Sequence, residues 1–183
     1  MAVRLYPYGF LGSIDGFENP HLAARGFREI ETWDGLKLLV QSDTEVAQAG
    51  TNQLGIIWIG YGCDVRSAEI VSSMAEHALQ YLSEGIQSFY ELLDYVVGRW
   101  AAIVSIDGKL VMYNDALALQ PVYIARDASL FGSHLPLVAE ELSARTGSAL
   151  TFQELGPKKL WDETEYLETV SYTHLTLPTI YSV

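Results

Sequence analysis

The chain switches between two hydrophobic periods, and the switches mark its elements. Phe27–Trp33 and Leu36–Gln41 are β-prone runs on either side of Asp34-Gly35, a pattern that predicts a hairpin. Leu54–Tyr61, LGIIWIGY, is almost wholly apolar, as a strand covered on both faces should be. From Arg66 to Glu84 the period becomes helical. Ile70, Val71, Met74, Ala78, Leu79 and Leu82 fall on one stripe, and Gly85 is placed to end the helix. A second helix is expected from Ser88, with Glu91 three positions on in a capping-box pattern. Phe89, Leu92, Leu93, Val96 and Val97 form its apolar face, and Gly98 ends it. Trp100–Ile106, the Asp107-Gly108 turn and Lys109–Asn114 read as a meander. Pro121–Ala125 and Leu130–Ser133 make a further strand pair around Arg126-Asp127. A last helix is expected from Pro136, suited to a first turn, to Arg145. This order predicts an α+β domain with stacked sheets and helices outside.

The pattern fails at the C-terminus. Val170–Val183, VSYTHLTLPTIYSV, has no Asp, Glu, Lys or Arg and no sustained period. Its first ten residues back-translate to GTC TCT TAT ACA CAT CTG ACG CTG CCG ACG. That resembles the transposase adapter used to build sequencing libraries. An index would then supply Ile180-Tyr181-Ser182, and the next adapter bases, GTG TAG, give Val183 and a stop. The expectation is therefore a domain over 1–169 and a non-native, adapter-encoded tail over 170–183, with the natural protein continuing beyond Thr169.

Composition narrows the classes. Half of the residues are apolar, which suits a globular core. The net charge of −12, without a Lys/Arg cluster, argues against nucleic-acid binding. A single cysteine, Cys63, leaves no intrachain disulfide and no thiolate metal cluster. No apolar run approaches a membrane span, and MAVRLYPYGF lacks the long apolar core of a signal peptide. A soluble, cytoplasmic protein is expected, with no membrane or nucleic-acid partner.

Candidate chemistry is sparse. Gly60-Tyr61-Gly62 begins like a nucleotide loop, but the third glycine would fall at Val65, so a tight turn after a buried strand is expected instead. His21, His77 and His134 are scattered, so no metal site is expected, and His77, beside Glu76 inside a helix, reads as a solvated residue. Cys63 has only Arg66 as an obvious cationic neighbour and reads as inert. Glu18, Glu29, Glu31 and Asp34 define no acid–base pair, and no G-x-S-x-G, P-loop or H-E-x-x-H is present.

One stretch carries more. In Ser88–Leu142 a set of landmarks occurs in order: Leu93, Gly98 and Trp100, Asp107-Gly108, Asn114-Asp115, Pro121-Val122-Tyr123 and Gly132-Ser133-His134. The stretch resembles the glutaminase domain of the asparagine synthetase family, the class II glutamine amidotransferases. The resemblance implies the four-layer αββα sandwich of the N-terminal-nucleophile hydrolases. It does not bring the chemistry with it. Family enzymes expose a cysteine after the initiator methionine, as nucleophile, with its own α-amine as base; here Met1 is followed by Ala2-Val3. The family's Asn-Gly, part of the oxyanion hole, falls near Ile59-Gly60, and Ile59 has no donor. The Arg and Asp that grip glutamine have no counterpart. No catalytic residue is assigned, and whether this chain is an enzyme stays open.

The resemblance implies an inactive glutaminase-like domain whose partner is a synthetase domain of the same chain, missing here. ATP and Mg belong to that missing domain, at an S-G-G-x-D-S loop absent from this sequence. Two other readings remain: an active amidotransferase with a misassigned start, and a stand-alone binding or regulatory module of the same fold. If a vestigial pocket binds anything, Gly60, Asp115, Gln120 and Tyr123 are its candidate residues, with turn formation and core packing as the alternative for each.

Overall fold

The computed structural model describes residues 5–33, 35–67, 73–125 and 128–147, and the backbone of 167–170. In chain order these form β1 (Phe10–Ser13), a 3-10 turn (Ala23–Arg25), β2 (Phe27–Ile30), β3 (Lys37–Gln41), β4 (Val46–Gly50) and β5 (Leu54–Asp64). Next come α1 (Met74–Glu84), α2 (Ile86–Leu93), β6 (Val96–Ile106), β7 (Lys109–Asn114), β8 (Val122–Ala125), β9 (Leu130–Gly132), α3 (Leu135–Thr146) and β10 (Leu167–Val170). The fold is α+β, with two antiparallel sheets. The chain divides into two compact units, Met1–Thr44 with Pro121–Val170, and Glu45–Gln120.

The first unit holds the sheet β10-β8-β9-β1-β3-β2. The expected hairpin is there: Phe27–Ile30 pairs with Leu38–Gln41. Asp34 and the Arg126-Asp127 turn lie outside the described residues. β1 sits between β9 and β3, and the Phe131 ring lies where a side chain at Gly12 would stand. Leu11, Leu22, Phe27, Leu130, Leu137 and Val138 form the core, with α3 supplying the last two. The loop leaving β1 is clasped by α3. Glu141, fully buried, accepts the backbone N–H groups of Glu18 (2.7 Å) and Asn19 (3.1 Å). Arg145 bonds Glu141, Ser13, Ser129 and the Gly16 carbonyl. α3 starts one residue before Pro136, which stands in its first turn. β10 pairs with β8 through Val170, so this strand reaches the first residue expected to be adapter-encoded; 171–183 lie outside the described residues.

The second unit holds the sheet β4-β5-β6-β7. Asp107 and Gly108, with φ of 52° and 75°, give the β6–β7 hairpin the primed turn that matches strand twist. β5 and β6 pair along their whole lengths, from Leu54↔Ile106 to Asp64↔Val96. β4 pairs only with Gly55–Ile59 and β7 only with Ala101–Ile106, so the far ends of β5 and β6 run on as a two-stranded ribbon. One face of the sheet packs Ile56, Trp58, Trp100, Ala102 and Val104 against Ala75, Ala78, Leu82, Phe89 and Leu92 of the helices. Each such large side chain contributes about 1.5–3 kcal/mol by leaving water.

Three helix boundaries differ from expectation. α1 begins at Met74, not Arg66; Ser73 caps it, accepting the N–H of Glu76, while residues 68–72 lie outside the described set. α2 begins at Ile86, directly after Gly85, and Ser88 lies inside it, so no capping box forms at Ser88. It ends at Leu93, and Val96, Val97 and Gly98 belong to β6. The physical reason is in the valines. Val96 is buried and Val97 is 53% exposed, which is strand alternation rather than a shared helical face.

Candidate functional site

Gly60-Tyr61-Gly62 is not a turn. All three residues, and Cys63 after them, lie inside β5. The glycines serve close packing. Gly60 has φ +89°, and a Cβ there would stand 2.5 Å from the Arg99 carbonyl oxygen on β6. A Cβ at Gly62 would stand 2.6 Å from the Trp58 ring. Gly62 faces Gly98 across the ribbon, so the strand surface there is bare and the Trp58 indole lies over it. Trp58 in turn stacks on Trp100 at 4.5 Å between centroids. Among the described residues neither indole Nε1 atom has a hydrogen-bond partner, nor does Asn114 Nδ2, and all three are buried.

Two of the other candidates meet beside this ribbon. Asp115 follows β7 and is 2% exposed. Its Oδ1 accepts the N–H groups of Leu117 (3.2 Å) and Leu119 (2.9 Å), and its Oδ2 that of Gln120 (2.7 Å). Its own N–H donates to the Trp100 carbonyl at 3.0 Å. This carboxylate is spent on shaping the loop, which holds Ala118 at φ 50° and leaves Leu117 and Leu119 exposed. Gln120 is also 2% exposed, and its Oε1 accepts Arg99 Nε at 2.6 Å. Arg99 is the neighbour of Trp100, which pairs with Gly60, so Gly60, Asp115 and Gln120 converge on the Arg99–Trp100 step of β6. Tyr123 lies on β8 in the first unit, opposite Gly132 and against that unit's core.

A denser polar cluster closes the ribbon's end. Asp64, the last residue of β5, is 2% exposed. Its Oδ1 accepts Arg66 N (3.0 Å) and Arg66 Nε (3.1 Å). Its Oδ2 accepts Arg66 Nη2 and lies against His77 Nε2, both at 3.1 Å. Burial pushes this carboxyl up, but the bonds from Arg66 and His77 outweigh burial and hold it at about 2. The same carboxylate raises the Arg66 guanidinium. Arg66 lies over the Tyr95 ring at 4.2 Å and His77 meets Tyr81 edge-on, so one buried charge ties β5, α1 and the turn before β6 together. His77 is therefore a partnered residue, not a merely solvated one. Cys63 does not join this cluster. It is exposed, it alternates with Asp64 along the strand, and its sulfur lies 3.9 Å from the Asp64 carbonyl oxygen.

Arg99 and the Asp64–His77 pair carried no sequence signal. Arg99 is a lone arginine in an apolar run, and thirteen residues separate Asp64 from His77. Only Asp64-x-Arg66 was a local cue. Among the described residues no group of three or more His, Cys, Asp or Glu side chains could hold a metal ion, and no helix is long and apolar enough to cross a membrane. No protein-family model matches the chain, and no curated protein does.

Proposed function

We propose that residues 1–169 are a glutaminase-like domain of the asparagine synthetase family that no longer hydrolyses glutamine. It serves as a packing and regulatory module of a longer, cytoplasmic, ATP-dependent amide-forming protein. One observation carries the loss of chemistry. Ile59, near which the family's oxyanion Asn-Gly would fall, is fully buried in mid-strand, paired with Val46 and Ala101. An aliphatic side chain there gives no donor to the oxyanion of amide hydrolysis, and removing one such donor costs an enzyme about 10²–10³ in rate. Cys63 supports the same reading, since no base reaches its sulfur among the described residues.

The family assignment rests on the ordered landmarks of Ser88–Leu142 and takes the fold to be the four-layer αββα sandwich. Gly60, Asp115 and Gln120, which meet around Arg99, are read as the remnant of the family's site, now given to strand packing and loop shape. ATP and Mg belong to a synthetase domain encoded beyond residue 169. Two measurements test this. The purified chain, incubated with glutamine, is expected to release no glutamate above the buffer control; saturable release refutes inactivity. The intact gene is expected to encode Ser-Gly-Gly-x-Asp-Ser beyond codon 169, and its absence refutes the family.

A further inference from the structure

The edge of the second unit's sheet is built like a strand-docking site. Among the described residues β4 pairs with β5 on one side only. Gly60 N donates to Glu45 O at 2.8 Å and Thr51 N to Leu54 O at 2.9 Å, which fixes the alternation. Glu45, Ala47, Ala49 and Thr51 direct their backbone groups to β5, so Val46, Gln48 and Gly50 direct theirs outward. The strand reads VAQAG, without the lysine, proline or inward charge that usually guards an edge.

α1 packs against both β4 and β5. His77 and Tyr81 take the flank of α1 that meets Asp64 and Arg66. The other flank, Glu76, Leu79, Gln80 and Ser83, spaced i, i+3, i+4 and i+7, lines an open groove of about 350 Å³ with Leu54. The groove has an apolar end, Leu54 and Leu79, and an acidic end, Glu76. Glu45, exposed at the start of β4, shares the face of Ala47 and Ala49, which pack against the helices. Neither β4 nor α1 carries a lysine or arginine.

We propose that β4 and this flank of α1 dock an extended segment of a partner protein as an added strand. The segment presents to α1 an aliphatic side chain and, two residues away on the same face, a lysine or arginine. Main-chain bonds to Val46, Gln48 and Gly50 hold it, the Leu54–Leu79 end takes the aliphatic group, and Glu76 takes the cation. This site is independent of the proposed glutaminase ancestry.

The test uses the full chain and a blocked peptide, Thr-Thr-Val-Thr-Lys-Thr-Thr, with a counterpart bearing glutamate for lysine, followed by amide chemical shifts at low salt. The lysine peptide is expected to shift the amides of Val46, Gln48 and Gly50 saturably. Gln48→Pro removes an outward N–H and no internal bond, so the chain stays folded while peptide affinity falls about tenfold or more. Glu76→Gln is expected to cut the preference for lysine over glutamate by about two- to fivefold. Equal binding of both peptides, or unchanged binding by Gln48→Pro, overturns the proposal. So does concentration-dependent self-association that Gln48→Pro abolishes, which gives the edge to a second copy. Protection of the three amides from hydrogen exchange without peptide also overturns it, because the chain's own residues then cover the strand.

Discussion

Replacing Asp64 by asparagine isolates the charge at the ribbon's end, since the two side chains have nearly one shape. The carboxyl sits at about 2, against 3.8 for an ordinary aspartate. Burial raises it, but Arg66 and His77 favour its charged form more strongly. A drop of nearly two units corresponds to about 2 kcal/mol of folding free energy. The sign follows from linkage. A carboxylate whose folded value is depressed stabilises the protein above its unfolded value, and that stability is lost as pH falls from about 4 toward 2. The introduced amide would also turn its NH2 toward the Arg66 or His77 donors, so the cost at pH 7 is about 2–4 kcal/mol, as for other broken buried pairs. Urea unfolding of both proteins between pH 7 and pH 3 measures the difference, with equal slopes required for the comparison. The gap is expected to hold from pH 7 to pH 5 and to narrow below pH 4. A gap under about 0.5 kcal/mol at pH 7 refutes the argument. So does a gap that changes only above pH 5, which would place the coupling on another group.

The rest of the second unit gives three more tests. Gly62→Ala puts a Cβ 2.6 Å from the Trp58 ring and is expected to cost about 1–3 kcal/mol; adding Trp58→Leu should recover part of the loss in a double-mutant cycle. Trp58→Phe removes a buried indole N–H with no partner among the described residues, together with the ring atoms that lie over Gly62, so thermal unfolding should show a loss of about 1–3 kcal/mol from the cavity; an unchanged or raised stability refutes the packing role given to the indole. Asp115→Ala strips the acceptor from three backbone N–H groups and is expected to destabilise by about 2–4 kcal/mol, with limited proteolysis appearing at Leu117 or Leu119.

Features set by neighbours along the chain were legible; features set by partners across the sheet were not. The Asp107-Gly108 hairpin is local, because a two-residue turn needs particular backbone angles and only a few residues supply them. The β6–β7 hairpin accordingly falls where the pattern put it, with β7 at Lys109–Asn114. The sequence does not mark β4, because Val-Ala-Gln-Ala-Gly has little strand propensity of its own; it is a strand through five residues of pairing to β5. α2 ends at Leu93, before its apolar pattern does, for the converse reason. Val96 and Val97 continue the apolar pattern of Phe89 and Leu92, but the register from Asp64↔Val96 onward claims them for β6. A valine pair is β-branched and fits a pleated surface at least as well as a helix. The same competition explains Gly60 and Gly62. In isolation a Gly-x-Gly at the end of an apolar run reads as a turn. The alternative, two strands approaching closely while a tryptophan lies flat on them, is visible only once Trp58, Gly62 and Gly98 are placed on adjacent strands. The site is harder to read than the fold for this reason. Asp115 and Gln120 could be picked out because they sit in one short loop, whereas the residues that give them a context, Arg99 and Trp100, arrive from β6. A buried aspartate that organises its loop and one that binds a ligand look alike in sequence. The three backbone N–H groups on the Asp115 carboxylate distinguish them, and they favour the loop.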